Sequence, residues 1–412
     1  MNTRRVVVTG MGALTPLGNT VEESWQNARK GVCGIGPITQ YDCSGQKVSL
    51  AGEVRGFDPT QVMDKKEARR TDRFTQLALA AAQEAVAQSG LDFSKEDTTR
   101  CGVILSSGIG GLLTMQNTCE TGLRKGYDKV SPFFIPMTIT NLAAAQVAIR
   151  FGIHGMCTCP VAACAGGGAA IGDALRYIRD GYGEVALCGG AEAAITPLGM
   201  GGFTSMHALT TEEDPQRASI PFDAQRSGFV MGEGAGVLVL EEYEHAKKRG
   251  AAILGEICGY GATCDAHHIT APDPQGTWAA QAMVQAMADA HIAPEEVGYI
   301  NAHGTSTPMN DACETQAVKQ AFGERAKQIP MSSTKSMTGH LLGASGAVEA
   351  IFCLKVLQDQ FAPPTIHYQV PDPQCDLDIV PNVGRAVTAT YALSNSLGFG
   401  GHNTSLIFGK GE

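Results

Sequence analysis

The stretch Pro160-Val-Ala-Ala-Cys164-Ala-Gly-Gly-Gly-Ala-Ala-Ile171 leads from a turn into a long helix and places a cysteine at the helix start. One apolar stripe runs along this helix through Cys164, Gly168, Ile171, Leu175 and Ile178, at alternating spacings of four and three. The cysteine therefore faces inward. Three consecutive glycines cost a helix about 1 kcal/mol each relative to alanine. We expect another part of the chain to approach this backbone closely.

A similar turn enters a second helix in the other half of the chain, at His340-Leu-Leu-Gly-Ala-Ser-Gly346. Each turn begins beside a residue that can do chemistry, Cys164 in the first and His340 in the second. This echo is a weak sign of an internal duplication.

Strands and helices alternate around the two turns, which favours a layered α/β fold with helices covering sheets. The predicted strands are Arg5–Gly10, Gly102–Ser107, Glu184–Gly190, Val237–Glu241, Ile253–Tyr260, Val297–Asn301, Thr390–Leu397 and Thr404–Phe408. The predicted helices are Asp72–Gln88, Cys164–Arg179, a short helix that ends at Lys247-Lys-Arg249-Gly250, Trp278–Ala290, Asp311–Phe322 and Ala344–Gln358. Asp311-x-x-Glu314 fits a capping box. A domain boundary near Gly250 divides the chain into residues 1–250 and 251–412.

Composition excludes several classes of protein. The 412 residues are 43% hydrophobic and carry a net charge of −10, which permits a large core and argues against general nucleic-acid binding. No apolar run is long enough to span a membrane. The Val-rich start is interrupted by Thr9, Gly10 and Pro16, so it fits a strand better than a signal peptide. We expect a cytoplasmic protein.

The 13 cysteines are scattered, and no Cys-x-x-Cys pair occurs among them. A disulfide framework is unexpected in a long chain without an export signal, and a zinc site would need a second cysteine pair. A reactive cysteine must therefore be identified by its surroundings. Cys164 is the strongest candidate, because a helix N-terminus stabilises a thiolate. The alternative is a buried cysteine at a tight helix contact.

Two histidines lie in glycine-containing turns. His303 is in Asn301-Ala-His-Gly-Thr-Ser-Thr-Pro308, just after a strand, where α/β proteins place catalytic groups. His340 precedes a helix. Together with Cys164 they form a candidate catalytic site, although a single histidine is more often structural.

Glu349 lies in a helix that is apolar on nearly all sides, and a buried carboxylate needs a partner. Lys335 is the candidate partner, unless Glu349 simply reaches an exposed face. The glycine clusters do not form a nucleotide-binding loop or a serine-hydrolase elbow, because the required spacings are missing.

These segments together resemble the β-ketoacyl-acyl carrier protein synthases over essentially the whole chain, and within them the type II elongating enzymes. The matching motifs are Arg5-Val-Val-Val-Thr-Gly-Met-Gly-Ala-Leu-Thr-Pro-Leu-Gly18, Ala163-Cys164-Ala, Pro221-Phe-Asp-x-x-Arg226-x-Gly-Phe-Val-x-Gly-Glu-Gly-Ala-Gly236, Asn301-Ala-His-Gly-Thr-Ser-Thr-Pro308, Lys335-x-x-x-Gly-His340 and Asn395-Ser-Leu-Gly-Phe-Gly-Gly-His-Asn403. Six ordered motifs leave little room for chance.

The resemblance implies a thiolase-like α/β fold with two halves related by a pseudo-dyad, layered αβαβα, in a homodimer. It implies that Cys164 accepts the acyl group and that His303 and His340 bind the malonyl thioester. It also implies that Phe399 gates the pocket and shares an oxyanion hole with the N–H of Cys164. Lys335, paired with Glu349, would stabilise the region around the two histidines electrostatically.

The resemblance further implies partners and ligands. No redox cofactor is required, and the phosphopantetheine arm arrives on an acyl carrier protein and contacts Thr305 and Thr307. Ile109 and Phe134 would be pocket residues that help to decide which acyl chain is accepted. Several relatives hold a monovalent cation, and the matching oxygen donors are Asn301, Glu349, Ser394 and Asn395.

Acyl carrier proteins are acidic, so an acidic enzyme needs a local basic patch to bind one. The candidate patch is Lys65, Lys66, Arg69 and Arg70, with Arg124, Lys125 and Lys129 as additions; an ordinary solvated helix face is the alternative. The chain departs from many relatives at Gly166, at Met309-Asn310 and at His207, which can alter pocket shape or carrier preference.

Three other functions remain to be compared with this one. A polyketide-type ketosynthase would use the same chemistry on a different chain. A non-catalytic chain-length partner would lack the nucleophile, which is present here as Cys164. A thiol redox or metal protein would need paired cysteine spacings.

Overall fold

A computed structural model describes residues 4–411, and ten of the strands in this part of the chain form one large sheet. The strands are β1 Val6–Leu14, β2 Ile35–Pro37, β3 Leu50–Gly52, β4 Cys101–Ser106, β5 Cys157–Thr158, β6 Val185–Glu192, β7 Gly234–Glu242, β8 Gly255–Cys264, β9 Val297–Asn301, β10 Met331–Ser332, β11 Phe361–Ala362, β12 Arg385–Ala386, β13 Tyr391–Gly398 and β14 His402–Gly409.

The large sheet has two halves with the same topology. Its strand order is β10-β9-β13-β14-β8-β1-β7-β6-β4-β5. Reading outward from the centre, β1-β7-β6-β4-β5 and β8-β14-β13-β9-β10 show the same pattern, with two antiparallel pairings followed by two parallel ones. The halves join at β1 and β8 through Val7↔Glu256 and Val8↔Gly255. The repeated order shows the internal duplication that the two glycine turns suggest.

Helices connect and cover the strands. They are α1 Val21–Arg29, α2 Lys65–Ala68, α3 Arg73–Ser89, α4 Leu112–Lys125, α5 Phe134–Thr138, α6 Leu142–Phe151, α7 Gly166–Arg179, α8 Pro197–Ser205, α9 Pro215–Ala218, α10 Tyr243–Lys248, α11 Thr277–Asp289, α12 Pro308–Phe322, α13 Lys335–Thr338 and α14 Ser345–Asp359. None of the described helices is long and apolar enough to cross a membrane.

Three apolar clusters define five layers. One outer cluster packs α3 and α6 against the first half-sheet, and another packs α11 and α12 against the second. The central cluster joins α7 and α14 to strands of both half-sheets. The order is therefore helix, sheet, helix, sheet, helix, and the predicted thiolase-like arrangement is confirmed.

The glycines of the α7 start are explained by a close helix crossing. A Cβ on Gly167 would lie 2.8 Å from the backbone nitrogen of Ala347 in α14. A Cβ on Gly346 would lie 2.7 Å from the nitrogen of Gly168. Real Cβ atoms do not approach backbone so closely, so glycine allows the two central helices to meet at the start of each.

Two local predictions are wrong. The helix predicted to begin at Cys164 begins at Gly166, and Cys164 lies in the preceding 3₁₀ turn. Asp311 does not cap its helix, because the helix begins at Pro308 and Thr307 accepts the capping hydrogen bond from the N–H of Asn310. The boundary near Gly250 falls between α10 and β8, and the division into domains 1–250 and 251–412 stays a prediction.

Candidate active site

Cys164 sits in a tight turn between β5 and α7. The turn spans Ala163–Ala165, and Ala163 adopts a left-handed backbone with φ of +47°. That conformation is costly for alanine and is tolerated where the surrounding structure enforces it. Gly398 packs against this turn, because a Cβ on it would lie 2.7 Å from the carbonyl oxygen of Ala162. The cysteine side chain is buried.

Burial raises the pKa of the Cys164 thiol to about 12, and the charge of Glu192 adds to the shift. The charge of Lys335 and the backbone N–H groups of Phe399 and Cys164 oppose it. Burial therefore favours the thiol form of the resting cysteine, and a thiolate stabilised by the helix start stays a prediction. Burial opposes the effect of the helix terminus, because desolvation disfavours the charged thiolate.

Phe399 lies at the end of β13, beside the cysteine turn. Its N–H and that of Cys164 both lower the pKa of the Cys164 thiol, so both donors lie close to the sulfur. Its ring lies 6.3 Å from the ring of Phe203, measured between centroids. Gly400 and Gly401 follow with φ of +86° and +77°, a left-handed pair that only glycine adopts easily.

His303 is held by its backbone. The loop that carries it follows β9, and the carboxylate of Glu314 accepts the N–H of His303 at 2.8 Å and that of Gly304 at 2.7 Å. Its Nδ1 is buried and has no hydrogen-bond partner among the described residues. Burial, with the nearby charges of Lys335 and His340, lowers the pKa of His303 well below its usual value.

His340 stands against His303. The two rings lie 5.3 Å apart between centroids and are nearly perpendicular. The ring of Phe229 packs edge-on at 5.2 Å, and Ser345 Oγ lies 3.0 Å from Nδ1. Burial and the charge of Lys335 lower the pKa of His340 well below its usual value. Both histidines are therefore neutral, and each can donate one N–H.

The predicted partner of Glu349 is present. Lys335 and Glu349 form an ion pair in which both side chains are almost fully buried. Lys335 begins α13, and its charge influences Cys164 and both histidines. An uncompensated buried charge would be costly, so each member of this pair requires the other.

Cys164, His303 and His340 line one cavity of about 490 Å³. Thr305 and Thr307 also line it, with their hydroxyl oxygens 3.0 Å apart. Buried Arg226 donates to the carbonyl oxygens of Thr307 and Pro308, which fixes this side of the cavity. His207 and the Met309-Asn310 pair also lie in the wall of this cavity.

Ile109 lies outside this cavity wall. It packs in an apolar cluster that also contains Cys164, Leu112 and Met200. The N–H groups of Gly108 and Ile109 donate to the buried carboxylate of Glu192 at 2.7 and 3.1 Å. Ile109 is thus beside the cysteine and separate from the threonine side of the site.

The predicted docking residues Lys65, Lys66, Arg69 and Arg70 are all exposed, on and just after the short helix α2. Asp64 caps this helix. The guanidinium of Arg70 lies over the ring of Phe133 at 4.3 Å, which joins the patch to the segment that follows α4.

Three of the four predicted cation ligands lie together. The Cys353 sulfur is hydrogen-bonded by the backbone of Asn301 and the hydroxyl of Ser394, and it feels the charge of Glu349. Asn301 Oδ1 and Glu349 Oε2 are buried oxygens without a partner among the described residues, so they fit a hard cation.

The side chain of Asn395 is engaged outside this cluster, so only its backbone oxygen is left to serve a cation there, and its assignment as a ligand stays a prediction. Its Nδ2 donates toward Glu314 and Met283, and its Oδ1 accepts from Ser405. Asn395 and Ser394 are neighbours on β13, so their side chains point to opposite faces of the sheet.

The sequence analysis missed three residues that shape the site. Glu192 and Glu314 hold the two loops described above, and Ser345 contacts His340. A carboxylate in an apolar run was the available signal for Glu192, as it was for Glu349. Nothing in the sequence pattern marks Ser345.

All 13 cysteines are free. No group of three or more His, Cys, Asp or Glu side chains in residues 4–411 is arranged to bind a metal ion. The geometry instead joins a buried thiol, two neutral imidazoles and two backbone donors close to the sulfur.

Comparisons with known proteins agree with this arrangement. Residues 3–246 match the family model for the β-ketoacyl synthase N-terminal domain, and residues 254–369 match the model for its C-terminal domain. The 3-oxoacyl-[acyl-carrier-protein] synthase 2 of Synechocystis sp. is 52% identical over 408 residues, which cover 99% of this chain and 98% of the relative. The enzyme of the same name from Staphylococcus aureus is 52% identical over 409 residues, with 99% of both chains covered.

Solved structures show the same fold. A β-ketoacyl synthase from Burkholderia phymatum has a TM-score of 0.91 at 36% identity, covering 99% of this chain and 100% of that one. A type II polyketide ketosynthase solved with its acyl-carrier protein has a TM-score of 0.92 at 35% identity, covering 100% of both chains. The predicted resemblance is confirmed, and the chain belongs to the β-ketoacyl synthase family.

Proposed function

We propose that this protein is an elongating condensing enzyme, a 3-oxoacyl-acyl carrier protein synthase of type II, which adds two carbons to an acyl chain by decarboxylating malonyl-acyl carrier protein. The observation that carries the proposal is the enclosure of the Cys164 thiol in one cavity with two neutral histidines. The 52% identity to 3-oxoacyl-[acyl-carrier-protein] synthase 2 supports it over nearly the full chain.

The first half-reaction uses the cysteine. The Cys164 sulfur attacks the thioester carbonyl of an acyl carrier protein, and the N–H groups of Cys164 and Phe399 stabilise the tetrahedral oxyanion. The carbon–sulfur bond to the carrier breaks, and the proton lost by Cys164 ends on the released carrier thiol. The acyl group then rests on Cys164 as a thioester.

The second half-reaction uses the histidines. His303 and His340 donate N–H groups to the malonyl thioester carbonyl, where enolate charge develops as CO₂ departs. The carbanion attacks the acyl thioester on Cys164, and the carbon–sulfur bond to Cys164 breaks. The sulfur leaves as a thiolate that takes a proton from solvent, and the β-ketoacyl product stays on the carrier. Neutral imidazoles suit this role, because a buried imidazolium would be costly beside the charge of Lys335.

Other residues bind and position. The hydroxyls of Thr305 and Thr307 face the cavity and can hydrogen-bond the amides of a phosphopantetheine arm. A monovalent cation, if bound, would be held by Asn301 Oδ1 and Glu349 Oε2 and would neutralise carboxylate charge beside Lys335. No step of the reaction passes through it, and no other cofactor is proposed.

The acyl carrier protein is proposed to dock on Lys65, Lys66, Arg69 and Arg70, which are exposed cations without an ion-pair partner among the described residues. Reversing all four to glutamate should raise the apparent KM for acyl-carrier protein at least about tenfold, because electrostatic attraction guides the encounter. The acylation rate with a small acyl-pantetheine thioester is the control and should not change. Unchanged carrier kinetics at low salt would exclude these four residues as the docking surface.

A homodimer is proposed from the free edge of the sheet. Strand β5 is the outermost strand of its half among residues 4–411, and Met156 and Val161 beside it are exposed. An unprotected apolar edge is a template for pairing with a second copy. Sedimentation velocity should show twice the chain mass, and a monomer at micromolar concentration would contradict this.

The cytoplasmic location stays a prediction.

The test of the proposed function is a two-carrier assay without added cofactor. Acyl-carrier protein and malonyl-carrier protein should yield CO₂ and one β-ketoacyl-carrier protein, two carbons longer than the starting acyl group. Repeated extension to a polyketide would favour the second candidate, which the similarity to a type II polyketide ketosynthase at 35% identity supports. Absence of both products from folded protein would favour a non-catalytic partner.

A further inference from the structure

We propose that Ser345 is a positioning residue that fixes the tautomer of His340, so that its Nε2 carries the proton and serves as the donor. The proposal rests on the proposed function, because it assigns the direction of a hydrogen bond to the malonyl thioester. Nothing in the sequence pattern or in the family resemblance marks this serine.

Ser345 has two hydrogen-bond partners among residues 4–411. Its Oγ accepts the backbone N–H of Leu341 at 3.0 Å. Its Oγ also lies 3.0 Å from Nδ1 of His340. A hydroxyl has one proton to donate, and Nδ1 is the acceptor within reach. The serine therefore donates to Nδ1, which leaves the imidazole proton on Nε2.

The backbone holds the serine in place. Ser345 is the first residue of α14, directly after the 3₁₀ turn Leu342–Ala344, and its Oγ accepts the N–H of Leu341, the residue that follows His340. The Leu341 N–H fills one acceptor position of the hydroxyl, and the hydroxyl proton is free to be donated to the ring. Both partners are buried, so water does not compete for them.

Charge reinforces the same state. The imidazole of His340 is neutral, since burial and the charge of Lys335 disfavour its protonated form. A neutral imidazole has one proton to place, and the nitrogen that accepts from Ser345 cannot also carry it. The proton must then lie on the nitrogen remote from Ser345.

His303 lacks this control. Its Nδ1 is buried without a partner among the described residues, while its backbone is held by Glu314. The two histidines are therefore not equivalent. One has a tautomer fixed by a side chain, and the other has a fixed backbone with a tautomer that its bound substrate can select.

The test compares Ser345→Ala with Ser345→Thr, which keeps the hydroxyl. For Ser345→Ala we expect kcat for condensation to fall roughly three- to tenfold, the size expected for one lost hydrogen bond. The rate of Cys164 acylation should not change, because His340 acts in the second half-reaction. Ser345→Thr should recover most of the lost kcat.

The matched control is Ser89→Ala. Ser89 is a buried serine at a helix end that accepts the N–H of Leu91 and donates to the carbonyl of Val86, remote from the cavity. A general cost of removing such a hydroxyl would appear in this variant as well. We expect its kcat to equal that of the wild type.

The tautomer is measured directly by ¹⁵N NMR on protein labelled at histidine, with His340 assigned by its loss in His340→Gln. We expect an unprotonated Nδ1 and a protonated Nε2 in the wild type, and a mixture in Ser345→Ala. A protonated Nδ1 in the wild type, or an unchanged tautomer and kcat in Ser345→Ala, would overturn the proposal. This measurement needs no substrate, so it is independent of the proposed function.

Discussion

Two turns in this protein share one backbone shape and carry different chemistry. The turn Ala163–Ala165 and the turn Leu342–Ala344 each precede a central helix, and each begins at a residue with φ of +47°. In the first the middle residue is Cys164, and in the second it is Gly343. The duplication supplied the same strained turn twice, and only one copy holds a nucleophile.

Two loops show the same relation. The loop after β4 is held by Glu192, which accepts the N–H groups of Gly108 and Ile109. The loop after β9 is held by Glu314, which accepts those of His303 and Gly304. A buried carboxylate fixes each loop, yet it comes from the end of a strand in the first half and from helix α12 in the second.

The residues of the two halves would act in different steps of the proposed reaction. The first half holds Cys164 and Ile109, on the side that would take the acyl group. The second half holds His303 and His340, on the side that would decarboxylate malonyl. A shared scaffold has thus been given two separate tasks, and substitutions in each half should separate them.

The largest effect is expected for Cys164→Ala, which removes the function of the first turn. Acylation should be lost, and condensation should fall at least about a thousandfold. Intact-protein mass spectrometry after incubation with acyl-carrier protein measures the adduct directly. An acyl adduct that persists in the variant would assign the nucleophile to another residue.

His340→Ala should break the other half. We expect condensation to fall about a hundredfold or more, because a positioned N–H donor at the developing enolate is lost. The acyl adduct on Cys164 should still form. A variant that loses acylation to the same extent would show that the two halves do not work separately.

Gly343→Ala tests why the second turn cannot carry a side chain. Its new Cβ would lie 2.6 Å from the backbone nitrogen of Gly108 and 2.9 Å from Glu192 Oε2. We expect a loss of about 2 kcal/mol in the free energy of unfolding, measured with urea. The control is Gly201→Ala in α8, where the added Cβ meets nothing within 4 Å and stability should not fall.

The smallest expected effect is a pH dependence of the free energy of unfolding, caused by the buried carboxyls that hold the two loops. Burial raises the pKa of Glu314 to about 7, from 4.5. The folded state therefore binds the Glu314 proton more tightly than the unfolded state does. The contribution of Glu314 to the free energy of unfolding is full below about pH 4.5 and is lost as the pH rises through about 7. Wild-type protein should lose stability relative to Glu314→Gln as the pH is raised from 5 to 8.

Burial also raises the pKa of Glu192, so Glu192→Gln should show the same direction. The measurement is the urea midpoint of each protein across this pH range. A difference between wild type and Glu314→Gln that does not change with pH would contradict the assignment of a titrating carboxyl beneath His303.

The sequence was sufficient where a residue type has few roles. Cys164, His303 and His340 stand in motifs with fixed spacing, and the charge of Glu349 in an apolar helix required a partner such as Lys335. Strand alternation also predicts that the side chains of Ser394 and Asn395 point to opposite faces of the sheet.

Other features depend on surroundings that sequence patterns do not contain. The protonation of the Cys164 thiol depends on how completely the sulfur is enclosed. Asp311-x-x-Glu314 has the spacing of a capping box, yet both residues lie within α12 and not at its start. Their carboxylates accept backbone N–H groups from neighbouring loops. The contact of Ser345 with His340 follows from the exact turn between them.

The separation of the two half-reactions is the central claim, and one paired measurement tests it most directly. Cys164→Ala is given malonyl-carrier protein, and His340→Ala is given acyl-carrier protein, with released CO₂ and intact-protein mass as the readouts. We predict that Cys164→Ala still releases CO₂ without forming an adduct, and that His340→Ala still forms the adduct without completing condensation. Loss of both activities in either folded variant would contradict the division of work between the halves.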